Sequence, residues 1–263
     1  MTKEKLKVIL LCAGYGTRIQ KIIGSLPKAL IQVDKDITVL DVLCGQLNSF
    51  GDIISEVHLV TNDVFYKQFM EWGNNTKDRY RNLPKIHIHN DMSTDNSNRL
   101  GAIGDICFTL DKIEDMGSDH LLVLATDNLY PFHLQEVVDF FFEKECRNLI
   151  TARKLDLEEI KQKSEIKIDE QGRVIYAKEK PANPVSNYSA YAIYFINNKD
   201  IALYEKYLAE GNNPDSPGNF LPYLIEHSSL YCFKFENEVL DFGCPDLYEK
   251  CFETIKKNAG EYL

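Results

Sequence analysis

The 263-residue chain has no apolar run approaching the roughly 18 to 20 consecutive residues that a membrane-spanning helix needs. Its opening, Thr2-Lys3-Glu4-Lys5-Leu6-Lys7, mixes charges and leads straight into the first apolar segment, unlike a secretory leader. A soluble, cytoplasmic protein with no membrane partner is therefore expected. Paired cysteines are lacking too. The seven thiols (Cys12, Cys44, Cys107, Cys146, Cys232, Cys244 and Cys251) are scattered, with no C-x-x-C and no histidine at zinc-site spacing, which predicts reduced and mostly buried side chains. Positive charge is scarce: 30 Lys and Arg against 40 Asp and Glu leave a net charge of -10. That argues against a nucleic-acid polymer as partner, because such binders displace counterions with basic patches. A small phosphorylated ligand stays open, since it needs only a few placed cations and a divalent metal would add more. No internal repeat, low-complexity linker or hexapeptide tail is found.

What is present is enough for a full core: 44% of the residues are hydrophobic. Apolar, β-rich runs at 6–12, 56–61, 85–89, 120–126 and 148–153 read as strands, and several are too uniformly apolar to be one-faced. Between them lie helical stretches at 39–50, 64–72, 102–113 and 134–145. This alternation predicts a doubly wound α/β fold with a mixed, mostly parallel sheet. After about residue 155 the pattern changes. Residues 165–181 read as two strands joined at Glu170-Gln171-Gly172, followed by a strand at 187–197 and helices near 198–209 and 219–227. A strand pair, 230–236 with 238–242, and a helix from Pro245 complete the chain. The expected organisation is one domain, with a nucleotide-binding part at 1–155 and an antiparallel, acceptor-binding part at 156–263.

The first strand runs into Gly14-Tyr15-Gly16-Thr17-Arg18. A glycine turn at the carboxyl end of a parallel strand is where open α/β sheets bind ligands, and its exposed N–H groups can cradle phosphate oxygens. The loop is not a Walker A sequence, which needs G-x-x-x-x-G-K-S/T, nor the G-x-G-x-x-G dinucleotide fingerprint, because Ile19 stands at the last glycine. A second cation, Lys28, follows ten residues after Arg18, presented by the stiff Pro27 in SLPKAL.

The combination L-x-A-G-x-G-T-R followed by P-K-A-L resembles the signature of the nucleotidyltransferases that activate sugar 1-phosphates. Further fragments fit in order. RLGAIGDI (99–106) resembles the family's glycine segment beside the nucleobase. LVLATDN (122–128) resembles the strand ending in G-D-N, with Thr126 in place of the glycine. AKEKP (177–181) resembles the E-K-P that grips the acceptor, NNPDSPGNF (212–220) a loop of many members, and VLDFGCP (239–245) the family's D-I-G-T-P.

The resemblance implies transfer of NMP from an NTP to a small phosphorylated acceptor, with pyrophosphate released and nucleotide-sugar supply, for instance for cell-surface polysaccharide, as the setting. It implies a nucleotide site of Leu11, Ala13, Gly14, Tyr15, Gly16, Thr17, Arg18, Lys28, Asn96, Gly101 and Asp127. Asp127 and Asp241 are the implied ligands of Mg²⁺, which favours carboxylates plus substrate phosphates and water. Arg18, Lys28, Asp127 and Asp241 would form the catalytic set, the two cations stabilising the charge on departing pyrophosphate. Asn128, Glu165, Glu179, Lys180, Tyr191 and Ala192 would meet the acceptor. No protein nucleophile is required, because the acceptor phosphate attacks. A homo-oligomer is compatible with the resemblance.

Three departures stand out. Cys12 occupies a position where alanine is common, which bears on the choice of base, as do Asn96, Asn98 and Arg99. The Tyr-Gly that opens the acceptor pocket in relatives corresponds to Ser164-Glu165, and a later glycine to Ala192. These changes fill or charge the pocket. They predict an acceptor smaller than glucose 1-phosphate or one bearing an amino group, unless Glu165 points to solvent. Two other readings stay open: a cytidylyltransferase acting on a non-sugar phosphate, and a non-catalytic subunit that senses nucleotide sugars. His87 and His89 share a strand face and read as ordinary half-exposed residues rather than as metal ligands.

Overall fold

A computed structural model describes residues 4–76, 78–145 and 147–258. Cys146 and the opening Thr2 and Lys3 lie outside the described residues. In chain order the first half contains β1 (Leu6–Leu11), α1 (Gln20–Ile23), β2 (Gln32–Asp34), β3 (Ile37–Thr38), α2 (Val39–Ser49), β4 (Ile54–Thr61), α3 (Asp63–Thr76), β5 (Ile86–Asn90), α4 (Ala102–Leu110), β6 (His120–Ala125) and β7 (Asn128–Leu129). Then follow α5 (Leu134–Glu143), β8 (Asn148–Lys154), α6 (Leu157–Ile160), β9 (Ser164–Ile168), β10 (Val174–Glu179), β11 (Tyr188–Ile196), α7 (Leu203–Ala209), α8 (Pro217–His227), β12 (Leu230–Lys234), β13 (Leu240–Asp241) and α9 (Tyr248–Lys257).

The expected α/β class is what forms. A nine-stranded mixed sheet has the order β10-β9-β11-β6-β1-β4-β5, with β8 and β12 branching from β11. Pairing is parallel at β4·β5 and β8·β12 and antiparallel along β11, β9 and β10. Strands β1 and β6 are buried over all but their last residue, which explains their uniformly apolar sequences. Local signals start the helices: Thr38 and Asp41 form a capping box before α2, and Pro217 opens α8 two residues ahead of the expected start, in the first-turn position proline favours. Gly172, at φ 81°, makes the turn between β9 and β10.

One expected pairing is corrected. Residues 230–236 and 238–242 form no hairpin; β12 lies parallel to β8, and β13 antiparallel to β7. The segment between them, Phe235 to Glu238, carries no glycine to make a tight turn, whereas Leu230 and Cys232 bury against β8. Among the described residues no helix is long and apolar enough to cross a membrane.

By contacts the chain falls into two compact units that interleave in sequence. The first comprises residues up to Ile9, Leu100–Leu124 and Val137–Glu236. Its core includes Phe141 stacked on Phe195, with ring centres 4.9 Å apart, and Tyr204 on Phe220 at 4.2 Å. The second comprises Leu10–Arg99, Ala125–Glu136 and the chain from Asn237. In it Ile19, Ile31, Val39, Leu129, Leu240, Phe242, Cys251 and Ile255 share one buried cluster, which packs α9 against β13.

Candidate active site

In the second unit the two-residue strands β7 and β13 pair, with Asp241 opposite Asn128. The Phe242 N–H donates to the Asp127 carbonyl at 3.0 Å. This short ladder brings two aspartates far apart in sequence side by side. The Asn128 amide holds Asp127 Oδ1 at 2.9 Å, and the Gly243 N–H holds Asp241 Oδ1 at 2.9 Å.

Lys28 completes the group. Pro27, at φ -67°, precedes a single 3₁₀ turn over Lys28–Leu30. From there the lysine stem passes the glycine loop: a methyl group on Gly16 would lie 3.4 Å from Lys28 Cγ, and one on Gly14 3.9 Å from Cε. Gly16 also has φ 64°, a conformation that favours glycine. The ammonium ends in an ion pair with Asp127 Oδ2. Burial alone would raise the Asp127 carboxyl; the Lys28 charge and hydrogen bond, a backbone bond and Arg18 together outweigh it and hold the group below its usual value.

Gly243 marks the focus. A methyl placed there would sit 3.1 Å from Asp127 Oδ2, 3.1 Å from Asp241 Oδ1 and 3.2 Å from Lys28 Nζ. Two carboxylate oxygens and an ammonium therefore converge on a point that a Cβ would crowd. Among the described residues no group of three or more His, Cys, Asp or Glu is arranged to hold a metal. Two carboxylates are nonetheless the donor set that Mg²⁺ takes when substrate phosphates and water supply the rest.

The remaining nucleotide-side residues, Gly101 apart, lie in the same unit. The Leu11 carbonyl accepts from Thr126 Oγ1 at 2.7 Å, and the Ala13 carbonyl from Asn62 Nδ2 at 2.9 Å. Tyr15 donates to Ser93 Oγ at 2.9 Å, and Ser93 in turn donates to Asp91, so the glycine loop is tied to the segment after β5. Thr17 and Arg18 are exposed, as is Asn96, which accepts from Arg99. Cys12 and Thr126, each standing where relatives carry another residue, touch: Sγ and Oγ1 are 3.1 Å apart at the ends of their strands. Burial pushes the Cys12 thiol up to about 12, so it stays protonated and is no nucleophile.

Gly101 lies in the first unit, where its bare Cα packs against residues 214–215. A methyl there would lie 2.5 Å from the Pro214 carbonyl oxygen, and Ala102 and Ile103 at the start of α4 donate to the carbonyls of Asp215 and Pro214.

Glu179 and Lys180 also lie in the first unit, at the end of β10. Ser164, directly opposite Glu179 across β9·β10, donates its hydroxyl to Glu179 Oε2. Ser216 donates to Oε1 at 2.9 Å. Lys180 has φ 44°, uncommon for a residue with a side chain and a form of strain that clusters at functional sites. Tyr191 and Ala192 sit where the β11·β8 register shifts, with the Tyr191 ring 5.4 Å from that of Phe235. Glu165 projects to the other face of β9 from Ser164 and has no exposed surface; its Oε1 accepts from the Val185 and Ser186 N–H groups. It thus faces neither solvent nor the Glu179 side of the sheet.

Comparison with known proteins gives the family. The family model described as nucleotidyl transferase matches residues 7–258. The chain belongs to the nucleotidyl transferase family. Its relatives in that family include glucose-1-phosphate adenylyltransferases. The one from Thermotoga sp. (strain RQ2) is 26% identical over 149 residues, covering 54% of this chain and 35% of its own length. The one from Geobacillus stearothermophilus is 23% identical over 270 residues, covering 97% of this chain and 67% of its own. The chain thus spans between about a third and two thirds of the length of these relatives. Among solved structures, a UDP-glucose pyrophosphorylase complexed with UDP-glucose shares the fold. It has a TM-score of 0.75 and 16% identity, and covers 97% of this chain and 100% of its own.

Sequence reasoning named Arg18, Lys28, Asp127 and Asp241, but not Gly243, Ser93, Ser216 or Gly218, whose contacts emerge only in the fold. For Gly243 a signal existed: it is the glycine two residues after Asp241 in VLDFGCP.

Proposed function

We propose that the chain transfers a nucleoside monophosphate from a nucleoside triphosphate to a small phosphorylated acceptor, with sugar 1-phosphates first among the candidates. The observation that carries the reading is the convergence of Lys28, Asp127 and Asp241 on the space over Gly243, beside a glycine loop. In the proposed reaction an oxygen of the acceptor phosphate attacks the α-phosphorus, the bond to the β-phosphate oxygen breaks, and pyrophosphate leaves with that electron pair. Two anions must meet, so the groups required are cations and oriented N–H donors rather than a protein nucleophile.

The loop from Leu11 to Thr17 would cradle the triphosphate with its backbone N–H groups. Arg18 and Lys28 would stabilise the charge that grows on the leaving pyrophosphate. Asp127 and Asp241 would hold Mg²⁺, which when bound would supply further positive charge to the phosphates. On departure from Asp127, Lys28 has a phosphate oxygen as its natural new partner, since an ammonium pairs as readily with phosphate as with carboxylate. Asn96 and Gly101 are assigned to the nucleoside. Glu179, Lys180, Asn128, Tyr191 and Ala192 are assigned to the acceptor, with Lys180 on its phosphate. Glu165 would act on the acceptor indirectly, through the backbone of residues 185–186 that it anchors.

The test is pyrophosphate release by the purified protein with Mg²⁺, each of ATP, dTTP, UTP, GTP and CTP, and a panel of acceptors. The panel holds glucose 1-phosphate, mannose 1-phosphate, N-acetylglucosamine 1-phosphate, phosphoethanolamine and 2-aminoethylphosphonate. At least one pair should release pyrophosphate only when both substrates are present. Turnover confined to the amine-bearing compounds would move the acceptor class away from sugars. No acceptor-dependent release from any pair would favour a non-catalytic sensor and refute the proposal.

A further inference from the structure

We infer that Ser164, Ser216 and Gly218 are positioning residues that fix the Glu179 carboxylate in one orientation, with one lone-pair direction on each oxygen left for an acceptor that offers paired hydrogen-bond donors. The inference depends on the proposal above that Glu179 meets the acceptor.

The three residues reach Glu179 from separate elements of the first unit. Ser164 begins β9 and stands opposite Glu179 in the β9·β10 register; its hydroxyl donates to Oε2. Ser216 lies just before α8, and its hydroxyl donates to Oε1 at 2.9 Å. Gly218 is in the first turn of α8. A methyl on it would lie 2.1 Å from Glu179 Oε2, 2.1 Å from Ser164 Oγ and 3.1 Å from Glu179 Cδ. The carboxylate therefore rests against the bare Cα of Gly218, near the positive end of an 11-residue helix.

Two hydroxyl donors and a steric floor hold a side chain that is otherwise rich in rotamers. A carboxylate oxygen has two lone-pair directions, so each oxygen keeps one after bonding its serine. A ligand that fills both must present two donors, as a vicinal diol or an ammonium group does. Holding the carboxylate in advance also spares the loss of side-chain freedom that binding would otherwise incur. Tyr194, buried in the same unit, has its phenol pushed up by burial and then by the Glu179 charge.

Steady-state kinetics with the best-used member of the acceptor panel tests this. Glu179→Gln sets the scale, with an expected loss of about tenfold or more in kcat/KM for the acceptor. Ser216→Ala and Gly218→Ala should each raise the acceptor KM by roughly 3- to 30-fold while KM for the triphosphate stays within about twofold. Ser216→Thr, which keeps the hydroxyl, should restore most of the loss. Methyl phosphate, which has no such donors, should be used at least about 100-fold less well than the best acceptor. If Glu179→Gln is costly but Ser216→Ala and Gly218→Ala both behave as wild type, the positioning inference fails and the acceptor role of Glu179 stands. If Glu179→Gln is itself without effect, both fail. Use of methyl phosphate equal to that of the best acceptor would overturn the paired-donor requirement.

Discussion

Replacing Lys28 with methionine removes the ammonium while keeping a side chain able to run along the glycine loop. In the native protein Lys28 and Asp127 are paired with side-chain exposures of 17% and 25%, so solvent screens the contact only in part. Removing one partner of a charged hydrogen bond costs about 1.5–3 kcal/mol, and up to about 5 in a fully buried pair; the residual exposure here argues for about 2 kcal/mol. For a chain of this length that is a fall in Tm of roughly 4–8 °C. Asp241 adds to the effect, because Lys28→Met leaves two carboxylates facing one space without the ammonium between them. The dependence on pH has a definite sign. Asp127 is held below its usual 3.8, so its ionisation contributes stability above that pH, and the contribution is lost as pH falls through the lower folded value. The gap between native and variant Tm should therefore be full at pH 7 and shrink below about pH 4. Circular-dichroism melts across this range measure it. An unchanged Tm at neutral pH, or a deficit equally large at low pH, would refute the assignment of the pair. In turnover the same variant should lose kcat more than it gains KM for the triphosphate; an effect confined to KM would reduce Lys28 to ground-state binding.

Asp127→Asn and Asp241→Asn should each lower turnover by about 100-fold or more at saturating Mg²⁺ with native circular dichroism, and activity within a few-fold of native would remove that residue from the mechanism. Gly243→Ala places a methyl where Asp127, Asp241 and Lys28 converge, and should cost at least about tenfold in kcat with little change in Tm; a fully active variant would show that this space is not used. Thr126→Val removes the 2.7 Å bond to the Leu11 carbonyl and the Cys12 contact, and should lower stability by about 1–2 kcal/mol in urea unfolding. Native stability in that variant would leave the Cys12 and Thr126 contact without energetic weight.

Much of the fold was legible because its signals are local. Strands buried on both faces read as apolar runs, Gly172 marks its turn, and Pro27 with the glycines at 14 and 16 announces the loop that Lys28 passes. The approach of Asp127 to Asp241 was implied only by resemblance. It depends on β7 and β13, whose two residues apiece are too few to show any periodicity. The hairpin expected at 230–242 failed for the complementary reason: alternating apolar residues announce a strand but not its partner, and β12 pairs with the distant β8. Cys12 and Thr126 were visible as separate oddities 114 residues apart, and only the fold reveals them as a touching pair. Ser164 drew notice as a departure beside Glu165, yet which of the two faces Glu179 follows from strand alternation and register, which sequence alone could set no better than to one residue. Ser216 and Gly218 were hidden inside a loop motif, since their partner Glu179 lies on another element.

The most direct measurement follows the α-phosphate itself. With [α-³²P]-labelled triphosphate, Mg²⁺ and the acceptor that supports pyrophosphate release, label should appear in a joined nucleotide–acceptor product in amounts equal to the pyrophosphate formed. Asp127→Asn should form neither. Label released as free monophosphate, or pyrophosphate formed equally well without acceptor, would contradict nucleotidyl transfer as the chemistry of this site.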